Sequence, residues 1–212
     1  MIKLKKTKQK QQKFPNNIPR NPTLGIVVRR ICVMRDTLYC AMGSGLLHFK
    51  SQTQPFLNLG TIVSGSSDYL NMANDYTLCK LKSITVEVQR VSGEIALNAS
   101  GLVLQPVFLT FFAGLINDAT ASLAINNENA LVIPGLTLES YTKTYPTIPI
   151  ISPYFSTGIA LYSNPKDWTI LSSAQNYPGQ FSVGWSNVIT ATASIDLYSV
   201  QFFLDMLFAG PY

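Results

Sequence analysis

The sequence predicts an all-β protein: a single eight-stranded antiparallel jelly roll with a disordered basic N-terminal arm. Three observations lead to this class. The residues after the arm are rich in Val, Ile, Leu, Thr, Tyr and Phe, which favour pleated, half-buried strands. Glycine and proline separate the apolar runs. About eight strand-like runs follow one another without regular strand–helix alternation, which favours a sandwich or jelly roll over an α/β fold.

The first strands are predicted from β-branched runs. One is expected over 24–34, which contains IVVRRICV, and another over 46–59 with an interruption near Pro55. Proline has no amide hydrogen for a ladder, so it breaks such a run. Residues 60–75 are predicted to be a long connection whose SSDYLNMAND segment makes a short helical turn that one of its first serines caps.

The middle of the chain alternates in places and is uniformly apolar in others. Residues 83–91 alternate cleanly, which predicts a strand with one buried face. Residues 102–115 are apolar on both faces, as in a covered central strand, and Pro106 indicates a strand start or a bulge. One or two more strands are expected over 130–148. The alternating faces of 83–91 are Ile84, Val86 and Val88 against Thr85, Glu87 and Gln89.

Two further strands are expected near the C-terminus. The proline-rich residues 146–179 come first, as a long excursion of the kind that is usually functional or forms an interface. Strands are then predicted over 180–186 and 192–208 from their alternation. The expected inward faces are Phe181, Val183 and Trp185 in the first, and Tyr198, Val200, Phe202, Leu204 and Met206 in the second.

Charge is divided unevenly along the chain. Residues 1–30 contain nine basic residues and no acid, whereas the other seven basic residues and all eleven acids follow Arg30. Residues 1–23 have too little apolar surface to offset the entropy of ordering, so they are expected to be a disordered arm before a shell domain over 24–212. The candidate nucleic-acid-binding residues are Lys3, Lys5, Lys6, Lys8, Lys10, Lys13, Arg20, Arg29 and Arg30.

Lysines at this density neutralise phosphates and release condensed counterions, which favours binding that is independent of base sequence. A solubilising tail and a nuclear import signal are alternatives that the arm's composition leaves open. Only 13% of all residues are charged, which is low for the surface of a soluble monomer and indicates that other subunits cover part of it.

Enzymatic features are absent from the sequence. His48 is the only histidine and has no Ser/Asp motif beside it, so a structural role is expected. Cys32, Cys40 and Cys79 lack metal-ligand spacing and are expected to be buried thiols. No cofactor, metal or catalytic site is therefore predicted. The uncharged stretch 95–117 has about bilayer-spanning length, but its polar residues and its Ala-Ser-Gly break favour a loop and a buried strand over membrane insertion.

Four segments resemble the capsid proteins of circovirus-like viruses, which have circular, Rep-encoding single-stranded DNA genomes. They are DYTLCKLKSITVEVQRV at 75–91, LTLESYTKTYPTIP, PGQFSVGW and the terminal LYSVQFFLDMLF. The resemblance implies a jelly roll that self-assembles into a small T=1 icosahedral shell in the virion, with the arm pointing inward onto a single-stranded DNA genome. It also implies assembly in the host nucleus, and loops at 60–75 and 146–179 that form outer surface and symmetry contacts.

The arm departs from that group because it is mostly lysine, whereas circovirus arms are typically rich in arginine. Satellite RNA virus coats share the architecture, so the sequence leaves the group and the nucleic acid open. The alternative outside viruses is a β-sandwich binding module whose tail binds nucleic acid or an anionic surface.

Overall fold

A computed structural model of the chain describes residues 25–93, 105–112, 128–135, 139–146, 168–171, 179–185 and 191–211. The candidate arm residues from Lys3 to Arg20 lie outside this part of the chain. The described strands are β1 (Val28–Cys40), β2 (Leu47–Phe49), β3 (Phe56–Asn58), β4 (Tyr76–Arg90), β5 (Val107–Phe112), β6 (Leu131–Ile133), β7 (Ser140–Pro146), β8 (Thr169–Ile170), β9 (Gln180–Trp185) and β10 (Ile195–Pro211). Helices α1 (Leu59–Ser64) and α2 (Ser67–Asp75) join β3 to β4.

The strands form two antiparallel sheets. The six-stranded sheet has the order β2-β1-β10-β4-β7, with the two-residue β8 beside the start of β4. The four-stranded sheet has the order β3-β9-β5-β6. The described residues form ten strands, two more than the eight predicted, and the first of them lies beside the last. This exchange of strands between two sheets is the jelly roll, so the predicted fold class is confirmed.

Alternation along the strands places the core between the sheets. On β4 and β10 the predicted inward faces are confirmed, because each of those side chains is at most 3% exposed. Phe181 of β9 and Phe202 of β10 bring the two sheets together, with ring centroids 5.0 Å apart. Phe181 also packs against Phe111 and Tyr145, at 4.9 and 5.4 Å. Such tilted and edge-to-face aromatic pairs stabilise the sandwich beyond the apolar area that they bury.

Several predicted boundaries were wrong. The first strand begins at Val28 and runs to Cys40, because Asp36 and Thr37 continue the ladder with Val200 and Ser199 of β10. Within 46–59 the predicted interruption near Pro55 is confirmed, but the strands on either side of it, β2 and β3, are only three residues long each.

The strand expected over 83–91 begins seven residues earlier, at Tyr76, since β10 is long enough to pair with all of β4. Strand β5 starts directly after Pro106, as predicted for a strand start.

The connection over 60–75 is mostly helical rather than a loop with one turn. Ser66 caps α2 by accepting a hydrogen bond at its side-chain oxygen from the Tyr69 amide, so the predicted cap is confirmed. Tyr69 is buried and donates its hydroxyl to the Leu171 carbonyl at 2.5 Å. These contacts hold α2 against strands β1 and β4 of the six-stranded sheet. Most of the range 146–179 lies outside the described residues; the described part of this range includes strand β8.

Candidate nucleic-acid interface

The start of β1 carries the two predicted binding residues that the structure describes. Arg29 donates from Nε to Asp205 Oδ1 and from Nη2 to Asp205 Oδ2, both at 2.7 Å. This two-point geometry matches a guanidinium to a carboxylate, and it raises the pKa of Arg29 above its ordinary value through the hydrogen bond to Asp205 and its charge. Arg30 points to the opposite side of the strand and donates from Nη2 to Asp68 Oδ1 at 3.1 Å.

Both arginines are therefore held in ion pairs within the folded part of the chain that the structure describes. Asp205 belongs to β10 and Asp68 to α2, so the two pairs tie the beginning of β1 to a neighbouring strand and to a helix. Their guanidinium groups are still largely exposed, with side-chain exposures of 68% for Arg29 and 56% for Arg30. The two ion pairs stabilise the beginning of β1, which follows the lysine-rich arm in the sequence. Whether they contact nucleic acid stays a prediction.

Further basic residues, which the sequence-based reasoning missed, lie on the outward side of the six-stranded sheet. Lys80 is two strands from Arg29 in the row Arg29, Leu207, Lys80. Lys82 is the extra residue where the β4–β10 register shifts, and its side chain is exposed. Arg35 is exposed on β1, with its Nε 3.4 Å from Gln201 Oε1. The sequence feature that predicts this placement of the lysines is the alternation Cys79-Lys80-Leu81-Lys82, in which the apolar residues face the core.

The remaining candidates for chemistry are buried or structural. All three cysteine side chains are fully buried, as predicted. Burial, followed by the Asp68 charge, raises the pKa of Cys32 to about 12, which keeps it a neutral thiol. His48 packs edge-on to Tyr39 with ring centroids 5.8 Å apart, and burial lowers its pKa. Within the described ranges, no three His, Cys, Asp or Glu side chains come together as ligands for a metal ion.

The two helices, α1 and α2, are short, and no helix in the described part of the chain has the length and hydropathy that a bilayer crossing requires. The uncharged stretch 95–117, which has about bilayer-spanning length, contains strand β5.

Similarity to known proteins is found at the level of structure. No protein-family model and no curated protein sequence matches the chain. The structure of Mud crab tombus-like virus is similar with a TM-score of 0.52 and 12% identity, covering 88% of this chain and 90% of that one. Cocksfoot mottle virus gives a TM-score of 0.52 and 8% identity, covering 88% and 97%.

A third similar structure is the capsid protein of Penaeus vannamei nodavirus, a deletion mutant in a T=1 subviral particle, with a TM-score of 0.51, 12% identity, and 87% and 98% coverage. At these identities the likeness concerns the fold, which is the jelly roll of viral capsid structures. The three structures lend no support to the circovirus-like group in particular.

Proposed function

We propose that this chain is a viral coat protein that self-assembles into a small, T=1 icosahedral shell and packages a single-stranded genome through its Lys-rich N-terminal arm. The observation that carries the proposal is a jelly roll whose first strand directly follows a strongly cationic segment. The fold likeness to virus structures over nearly nine tenths of the chain supports the shell role.

The charge distribution supports the packaging role. Many copies of the arm facing one cavity would act together, so a modest affinity per arm becomes a large one for the assembled shell. If all nine candidate residues engage a single strand, log K falls with log salt with a slope of about −6. The resemblance noted in the sequence implies DNA, and it also implies the virion, with assembly in the host nucleus, as the site of action.

The first experiment asks whether the purified full chain assembles. Negative-stain microscopy and light scattering should show uniform closed particles, and nuclease-protected nucleic acid should co-purify with them. After the particles are opened, sensitivity to DNase or RNase identifies the genome type, and DNA is the expected result. A chain that stays monomeric at physiological salt, with and without nucleic acid, contradicts the coat-protein proposal and favours a β-sandwich binding module.

A second experiment isolates the arm. Replacing its six lysines, Lys3 to Lys13, by glutamine should preserve particles but remove most of the packaged nucleic acid. The slope of log K against log salt should become shallower by about 4, since each phosphate contact to a single strand contributes about 0.7. The matched control replaces the same six lysines by arginine, which keeps the charge and should keep packaging. Unchanged packaging in the glutamine variant rules out the arm as the packaging element.

A further inference from the structure

The outward side of the six-stranded sheet is open, in contrast to that of the other sheet. We call it the outer sheet face; its members are Arg29, Ile31, Val33 and Arg35 of β1, Gln201, Phe203, Asp205 and Leu207 of β10, Lys80, Lys82, Ser83, Thr85 and Glu87 of β4, and Thr142 and Thr144 of β7. Each of these side chains is half-buried or exposed. In the four-stranded sheet, Thr110 and Ser182 point away from the core and are nevertheless at most 1% exposed.

The chemistry of the outer sheet face suits a polyanion. It holds four basic residues and two acids, and Arg29 already neutralises one of the acids, Asp205. The other acid, Glu87, stands two strands from Arg35 in the same row. Of the other nine side chains, four are apolar and five are hydroxyl or amide side chains, among them Thr85 and Thr144, whose hydroxyl oxygens lie 2.9 Å apart. Lys, Arg, Thr, Ser and Gln are the side chains that contact phosphate and sugar in nucleic-acid complexes.

An aromatic ring lies in the middle of these basic residues. Phe203 faces outward between Val33 and Thr85 in its row. Arg35 lies in the next outward-facing row on one side of Phe203, and Lys82 adjoins the next outward-facing row on the other side. Neighbouring outward-facing rows are two residues apart along the strands, so each of these two rows lies about 7 Å from that of Phe203. A half-buried aromatic ring with an open face between cations is an arrangement on which a base can stack while flanking phosphates are neutralised.

The outer sheet face is also continuous with the arm. The arm is joined to Val28 through the uncharged residues 21–27, and Arg29 is the first outward residue of β1. Lys80 follows about 10 Å away, two strand spacings across the sheet. A strand of nucleic acid held by the arm therefore meets the basic end of the face first. This continuity favours nucleic acid over a second protein copy as the occupant.

We propose that the outer sheet face is a second binding site for the single-stranded nucleic acid, with Arg35, Lys80 and Lys82 neutralising phosphates and Phe203 stacking on a base. This inference rests on the proposed function and deepens it. If the arm meets the genome inside the shell, the same sheet lines the interior, and the four-stranded sheet is turned outward.

The test uses the full chain and fluorescein-labelled dT20 and rU20 in anisotropy titrations over a range of salt. The double variant Arg35→Gln/Lys80→Gln should make the salt slope shallower by about 1.4, from two phosphate contacts. Phe203→Ala should weaken binding on the order of tenfold with little change in slope, and Phe203→Tyr should retain it. The matched control is Lys50→Gln, which removes one positive charge at the far end of the sheet, where Lys50 is paired with Asp196.

Ultraviolet crosslinking of bromodeoxyuridine-substituted dT20 to the full chain, followed by mass spectrometry, locates the contacts directly. Crosslinked peptides from β4 and β10 are the expected result. Crosslinks confined to residues 1–24, with parent-like binding by the Phe203 and Arg35/Lys80 variants, overturn this site and leave the packaging proposal intact. Absence of any oligonucleotide binding contradicts both. Loss of particles in Phe203→Ala without nucleic acid present also overturns the site, because it shows that another copy covers the face.

Discussion

Two adjacent phenylalanines on β10 should differ sharply in what they contribute to stability. Phe202 points into the core and has no exposed surface, with its ring centroid 5.0 Å from that of Phe181 and 6.4 Å from that of Phe49. Phe203 points outward and is half-buried. The same substitution, Phe→Ala, therefore removes a core ring in one case and a surface ring in the other.

The magnitudes follow from this geometry. Phe202→Ala should lower the free energy of unfolding by about 3–5 kcal/mol, because it loses the buried ring, leaves a cavity and breaks two aromatic contacts. Phe203→Ala should lower it by about 1 kcal/mol, since only part of the 1.5–3 kcal/mol for full burial of such a side chain is lost. With a urea dependence of about 2 kcal/mol per M, the two unfolding midpoints should differ by about 1–2 M.

Urea unfolding followed by tryptophan fluorescence measures this difference. Trp185 is a suitable probe because it is 6% exposed and donates its indole N–H to the Gly45 carbonyl at 2.6 Å. Parent and variants must be compared at one protein concentration, since self-association adds to apparent stability. If Phe202→Ala does not accumulate, Phe202→Leu gives a smaller shift of the same sign. Equal midpoints for the two alanine variants would show that β10 is not oriented as described.

Two further predictions concern backbone strain and buried thiols. Gly210 has φ +66°, and an added Cβ there would lie 2.5 Å from Thr77 Oγ1, whereas Gly43 has φ +77° with open space around it. Gly210→Ala should therefore lower the melting temperature more than Gly43→Ala does. The cost of Gly43→Ala is only that of the left-handed backbone, about 1–2 kcal/mol. A smaller effect at Gly210 would contradict this prediction. The native protein should be inert to Ellman's reagent at pH 8 and react at its three cysteines once unfolded, because burial protects all three thiols. Since the folded-state pKa of Cys32 is raised to about 12, its stabilising contribution is complete below pH 9 and is lost as the pH rises toward 12. The urea midpoint of the parent should therefore fall between pH 9 and pH 12, and that of Cys32→Val should fall less. Rapid labelling of the native protein at pH 8 would show that the thiols are not buried.

Much of the fold followed from the order of residues alone. Alternation at 83–91 and near the C-terminus identified the inward faces of β4 and β10, since successive side chains of a strand point to opposite sides and one face of each was apolar throughout. The serine cap of α2 and the strand start after Pro106 were likewise local features, determined by hydrogen-bonding capacity within a few residues. The concentration of positive charge before Asp36 is a property of the sequence itself.

Other features depended on partners distant in the chain. The length of β1 and β4 is decided by β10, which supplies the ladder on which residues such as Asp36 and Thr37 remain extended. Arg29 looked in the sequence like one more binding residue, and only the pairing of β1 with β10 brings it to Asp205, 176 positions away. The same pairing assembles Arg35, Lys80 and Phe203 on one face. The sequence by itself determined the fold class and the cationic arm, because composition and period are local; the tertiary structure decided which charges are paired and which share a surface, because strand register joins residues that no local pattern relates.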